Sequence, residues 1–73
     1  MKKIFELIDL DCAHCATRME EGIRKLAGVT DVSVNFLTQK LTLEANDELF
    51  EKVLRQAVKI CRKIEPDCTV VIK

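Results

Sequence analysis

The chain has 73 residues, 48% of them hydrophobic and 33% charged, and its basic and acidic side chains cancel to a formal charge of zero. A length of this order makes one domain, residues 1–73, with a modest core; only about 60% of the unfolded surface is buried at such a size. The charge balance excludes an electrostatic footprint for nucleic acid, and no apolar run approaches the ~20 residues that a membrane-spanning helix needs. Lys3–Asp9 alternates as a strand, with Phe5 and Leu7 on one face and Ile4 and Ile8 on the other. Asp11 stands where a helix cap belongs, and Ala13–Ala27 carries Ala16, Met19, Ile23 and Leu26 on one helical stripe. Glu20–Arg24 and Glu21–Lys25 are i,i+4 pairs on its wet side, and Gly28 reads as the helix stop. Val29–Phe36 alternates again, a short connection over Leu37–Gln39 follows, and Lys40–Ala45 completes a hairpin. Asn46 or Asp47 is the expected cap of a second helix running to about Lys63, with Phe50, Val53, Leu54, Ala57, Ile60 and Cys61 along its stripe. Pro66 forbids continuation, and Thr69–Ile72 is a last β-branched strand.

The order βαββαβ with short connections predicts an α+β, ferredoxin-like sandwich: a four-stranded antiparallel sheet with two helices on one face. This topology brings three loops to one end of the sheet: Cys12–Cys15, the hairpin tip Phe36–Lys40, and Ile64–Asp67. The first carries Cys12-Ala13-His14-Cys15 at the junction of strand and helix. Two cysteines so spaced turn both sulfurs to one side of a loop, within reach of one soft ion, and a helix N-terminus favours thiolate over thiol. With four cysteines, no export-signal pattern and a workable hydrophobic core, a reducing cytosol is the expected setting rather than a disulfide framework.

The stretch Phe5-x-Leu7-x-x-Leu10-Asp11-Cys12-x-x-Cys15, followed by Gly28-Val29-x-x-Val32-x-Val34-Asn35-Phe36, resembles the heavy-metal-associated domain in order and spacing over essentially the whole chain. The resemblance implies a metal-binding and metal-transfer domain rather than an enzyme, with Cys12 and Cys15 as the ligands. Family members serve as free metallochaperones or as cytosolic N-terminal domains of heavy-metal P-type ATPases. The implied partners are therefore the transmembrane part of such an ATPase or a sister metal-binding domain, for a monomer that does not itself enter the membrane. Copper members typically carry a methionine two residues before the first cysteine, where this chain has Leu10 followed by Asp11. An acidic residue directly before the motif resembles the zinc-, cadmium- and lead-exporting branch, and Lys63-Ile64-Glu65-Pro66-Asp67 is similar to the ends of cadmium-ATPase metal domains. The expected cargo is Zn²⁺, Cd²⁺ or Pb²⁺ ahead of Cu⁺. Divalent ions seek about four ligands and gain from a charged oxygen, whereas Cu⁺ is content with two thiolates.

Asp11 is open to two readings, as a helix cap and as the oxygen ligand of a divalent ion. Glu65 and Asp67, in the loop facing the motif, are the other candidate oxygen donors, and the sequence does not rank them. His14 is expected on the outside of the first helical turn, Leu10 and Met19 in the core. Cys61 continues an apolar stripe and is expected in the core; Cys68 is expected as a surface thiol, with a ligand role as the alternative for each. The rival from another class is a thiol redox module.

Overall fold

The computed structural model describes residues 1–72. Its elements are β1 (Lys2–Ile8), α1 (Ala13–Arg24), β2 (Val29–Asn35), β3 (Lys40–Ala45), α2 (Phe50–Ile64) and β4 (Thr69–Val71), in the predicted order. The strands form one antiparallel sheet in the spatial order β2-β3-β1-β4, so β3 is threaded between the ends of the β1–α1–β2 crossover. Register follows the apolar alternation: Phe5 and Val34 both lie opposite Leu41, and Leu7 lies opposite Val70. A one-residue slip would turn this whole row outward. Both helices cover the same face. Ala16, Met19 and Ile23 of α1, with Phe50, Val53, Ala57 and Cys61 of α2, close over Phe5, Leu7, Val32, Leu41 and Leu43. The opposite face is uncovered, leaving Ile4 63% and Ile8 48% exposed.

Four local expectations are corrected. The cap of α1 is Cys12, not Asp11. Cys12 has the extended backbone of a cap residue, and its sulfur accepts the Cys15 N–H at 3.2 Å. A cap acceptor must reach an N–H two or three residues on, and Asp11 lies one residue too early. Asn46 and Asp47 do not cap α2. Asn46 spends its side chain on the Glu48 N–H and its carbonyl on the Leu49 N–H, and the helix opens at Leu49 with no side-chain cap, where Phe50 first enters the core. The first helix ends at Arg24 rather than Ala27, in a turn from Ile23 to Leu26. Gly28 follows this turn with φ of +93°, its Cα face against Leu49, so an added Cβ would lie 2.9 Å from Leu49 Cδ1. Finally, Cys68 is not a surface thiol; it is 2% exposed, at the head of β4.

Cys61 is 1% exposed and belongs to the core, as its stripe predicts. Cys61→Ala removes buried contacts at a site already filled, and a loss of about 1 kcal/mol is expected in chemical denaturation, with an unchanged slope.

Candidate metal site

The three loops predicted to share one end of the sheet do meet there. β1 leaves the sheet through Asp9, whose φ is +63°, and the chain then buries Leu10 before exposing Asp11. Aspartate tolerates this left-handed conformation better than a bulky residue. Leu10 is 2% exposed and anchors the loop from below. Its backbone is tied to the hairpin. Gln39 Nε2 donates to the Leu10 carbonyl at 2.7 Å and to the Phe36 carbonyl at 2.9 Å, while the Leu10 N–H donates to Gln39 Oε1 at 3.0 Å.

Cys12 caps α1, Cys15 lies one turn on, and both are half-buried. From the third loop, Glu65 brings a carboxylate oxygen to 3.8 Å from Cys15 Sγ, a long contact. The Glu65 backbone is held from both sides, its N–H donating to the Cys61 carbonyl at 2.9 Å and its carbonyl accepting from the Cys68 N–H at 3.0 Å. Asp11 and Asp67 are exposed, as is His14. Of the five candidate residues, then, the structure sets Cys12 beside Cys15 and Glu65 beside Cys15, and leaves Asp11 and Asp67 exposed. Among the described residues no group of three or more His, Cys, Asp or Glu side chains forms a ready-made cage. The arrangement is an open two-sulfur site with one carboxylate beside it.

The two sulfurs divide their protons unequally. Cys12 is held below the ordinary thiol value, first because the Cys15 side chain donates to it and then because the Cys15 N–H does; burial and the Glu65 charge oppose this. Cys15 is pushed up to about 11, first by that same hydrogen bond to Cys12, then by burial, with the Glu65 charge adding to the effect and Arg18 opposing it. Cys12 is thus the more acidic sulfur of the pair, and Cys15 holds a proton that an arriving cation must displace. Below the loop, burial pushes Cys61 up to about 12, and burial, then the charges of Glu65, Asp9 and Asp11, push Cys68 upward. Since the thiolate is both ligand and nucleophile, the two buried cysteines are held in the inert form.

The residue that the sequence did not reveal is Gln39. Its place in a short polar connection gives no periodic or motif signal, and only its own left-handed φ of +56°, invisible in sequence, marks it.

In the metal-free folded protein, iodoacetamide at neutral pH is expected to modify Cys12 first and Cys15 more slowly. Cys61 and Cys68 should react only on unfolding, as followed by peptide mass mapping. Early modification of Cys68 would contradict its burial.

A model of the family described as the heavy-metal-associated domain matches residues 4–67. The cadmium, zinc and cobalt-transporting ATPase of Bacillus subtilis (strain 168) is 31% identical over 70 residues, covering 96% of this chain but 10% of that protein, so the chain spans a small fraction of the ATPase's length. The copper chaperone CopZ of Enterococcus hirae is 31% identical over 64 residues, 88% of this chain and 86% of the chaperone. Among solved structures, the N-terminal domain of a potential copper-translocating P-type ATPase from Bacillus subtilis, in its Cu(I)-loaded state, superposes with a TM-score of 0.78 at 28% identity, covering 99% of this chain and 85% of that one. With the family pattern running through nearly every element, and its two cysteines set at the start of α1, the chain belongs to the heavy-metal-associated domain family.

Proposed function

We propose that this domain captures a soft divalent ion, Zn²⁺, Cd²⁺ or Pb²⁺, through Cys12 and Cys15 and passes it on by ligand exchange. The observation that carries the reading is the Cys12–Cys15 pair at a helix N-terminus with the Glu65 carboxylate 3.8 Å from Cys15 Sγ. Two thiolates and a carboxylate leave a divalent ion short of the four ligands it prefers, so a donor's ligand enters readily and a receiver's ligand can replace it. Cys12, already the more acidic sulfur, makes the first bond. Cys15 then gives up its proton and closes the chelate, and Glu65 adds the charged oxygen that distinguishes a divalent from a monovalent cargo. Asp11, exposed one residue before Cys12, is a second oxygen donor able to turn in when the ion binds; Asp67, on the rim of the facing loop, is the third. The cargo passes unchanged, so the domain itself catalyses no covalent chemistry.

The partner is the transmembrane part of a P-type ATPase or a sister domain, on the cytosolic side. The relative from Bacillus subtilis, a cadmium, zinc and cobalt-transporting ATPase, supports this setting. No described helix is long and apolar enough to cross a membrane. A second reading, a free-standing chaperone for Cu⁺ or Zn²⁺, is favoured by a different observation: the match to the copper chaperone covers most of both chains. Two outward sulfurs, with Cys61 and Cys68 buried as thiols, suit Cu⁺ as well.

Replacing both Cys12 and Cys15 by Ala should abolish uptake of one Cd²⁺ per chain, followed by cadmium–thiolate absorption, while the circular dichroism stays native. Uptake of a full equivalent by that variant would place the site elsewhere. Glu65→Gln and Asp11→Ala separate the two cargoes. Each is expected to weaken Zn²⁺ and Cd²⁺ binding by about tenfold and to leave Cu⁺ affinity within error, since only the divalent ions use the lost charge. Equal losses for all three metals would remove the argument for divalent selectivity. Because binding displaces the Cys15 proton, Zn²⁺ affinity should rise with pH across the neutral range, by about tenfold per unit for one proton released.

A further inference from the structure

Gln39 sits in a conformation that its residue type does not favour. Its φ of +56° lies in the left-handed region, where glycine is at ease and a residue with a Cβ is strained. A side chain retained at such a position, at the tip of a hairpin, points to a use for the side chain itself.

That use is visible in its bonds. β1 and β3 pair in regular register up to Glu6 and Lys40, and the Leu7 N–H still reaches the Gln39 carbonyl at 2.8 Å. Beyond this point β1 turns away through Asp9, and the backbone of β3 has no partner to offer Leu10. The Gln39 amide takes over. It accepts from the Leu10 N–H at 3.0 Å and donates to the Leu10 carbonyl at 2.7 Å, the two bonds that a neighbouring strand would have made. Its second N–H donates to Phe36 at 2.9 Å and fixes the amide to the hairpin. Two carbonyl oxygens around Nε2 leave a single orientation for the amide. Leu10 is therefore held at its side chain by the core and at both backbone polar groups by Gln39, two residues before Cys12.

We propose that Gln39 is the positioning residue of the metal loop: by clamping the Leu10 backbone it sets the direction in which the chain presents Cys12 Sγ, and so the separation at which an ion meets both sulfurs. This rests on the reading of Cys12 and Cys15 as the metal pair. A carboxylate in the same place would accept from the Leu10 N–H but could not donate to its carbonyl.

Three variants test the assignment in the full chain: Gln39→Gly, Gln39→Leu and Gln39→Glu, with Val53→Ala in α2 as a control that weakens the core away from the loop. Gln39→Gly relieves the left-handed strain but loses three hydrogen bonds, so its thermal midpoint is expected to fall no further than that of Val53→Ala. Its Leu10 amide should nonetheless exchange with deuterium at least tenfold faster in the metal-free protein, and its Zn²⁺ affinity, from competition with a chromophoric chelator, should fall by roughly 10- to 100-fold. Gln39→Leu should lose affinity to the same extent, and Gln39→Glu should fall between it and the parent. Val53→Ala should lower the midpoint and leave affinity unchanged. Parental affinity in Gln39→Gly, or an equal affinity loss in Val53→Ala, would overturn the assignment. A parent that takes up no Zn²⁺ or Cd²⁺ would overturn the metal reading together with this role, while a protected Leu10 amide in that same protein would still register the clamp as a purely structural one.

Discussion

One contact, the Cys15 N–H donating to Cys12 Sγ at 3.2 Å, joins the folding problem to the chemical one. The first four amides of a helix lack partners within it, and here a sulfur supplies one of them. The same sulfur is the more acidic of the pair because of the hydrogen bonds it receives, from the Cys15 side chain first and from this amide next. Starting the helix and making one of its thiols more acidic are thus a single event. An ordinary cap residue, such as serine or aspartate, would start the helix as well but would leave no soft donor in place.

Around that contact the structure separates rigid support from an open mouth. Leu10 and Met19 lie in the core, and two further cysteines sit under the loop as protonated, buried thiols. Four sulfurs thus crowd one end of a small domain, yet only two face outward. Burial performs the selection. A thiol that must first leave an apolar environment to ionise is a poor competitor for a cation beside one that is already activated. Glu65 is the joint between the layers: its backbone bridges Cys61 and Cys68 while its carboxylate turns up toward Cys15.

Much of this was legible in the residues. The strands follow from the alternation of Phe5 with Leu7 and of Val32 with Val34, the helices from their stripes, and Cys12 and Cys15 from spacing and from the start of α1. What escaped has a common cause: it depends on where a short polar side chain points, and periodicity carries no such information. Asp11 and Asn46 are both good cap residues by type, and each misses the position by geometry, the one a residue early and the other committed to a turn of its own. Cys68 was misplaced because the strand it opens is only three residues long, too short for alternation to assign a face. Gln39 gave no sign because its bonds are to backbone atoms 3 and 29 residues away.

The antiparallel pairing of β1 with β4 has a mechanical corollary. β1 runs toward the cysteine loop and β4 runs away from it, so the two ends of the described chain come back to one corner. Met1 is ion-paired there with Asp47 and hydrogen-bonded to the Ala45 carbonyl, and Met1 and Ile72 line the same shallow cleft. Any polypeptide spliced to either end would therefore pull on the molecule at one pivot, with the sulfurs at the far tip. Held in this way, the domain is a boom: rotation about a single attachment sweeps its cargo through an arc whose radius is set by a body 32 Å in its longest extent.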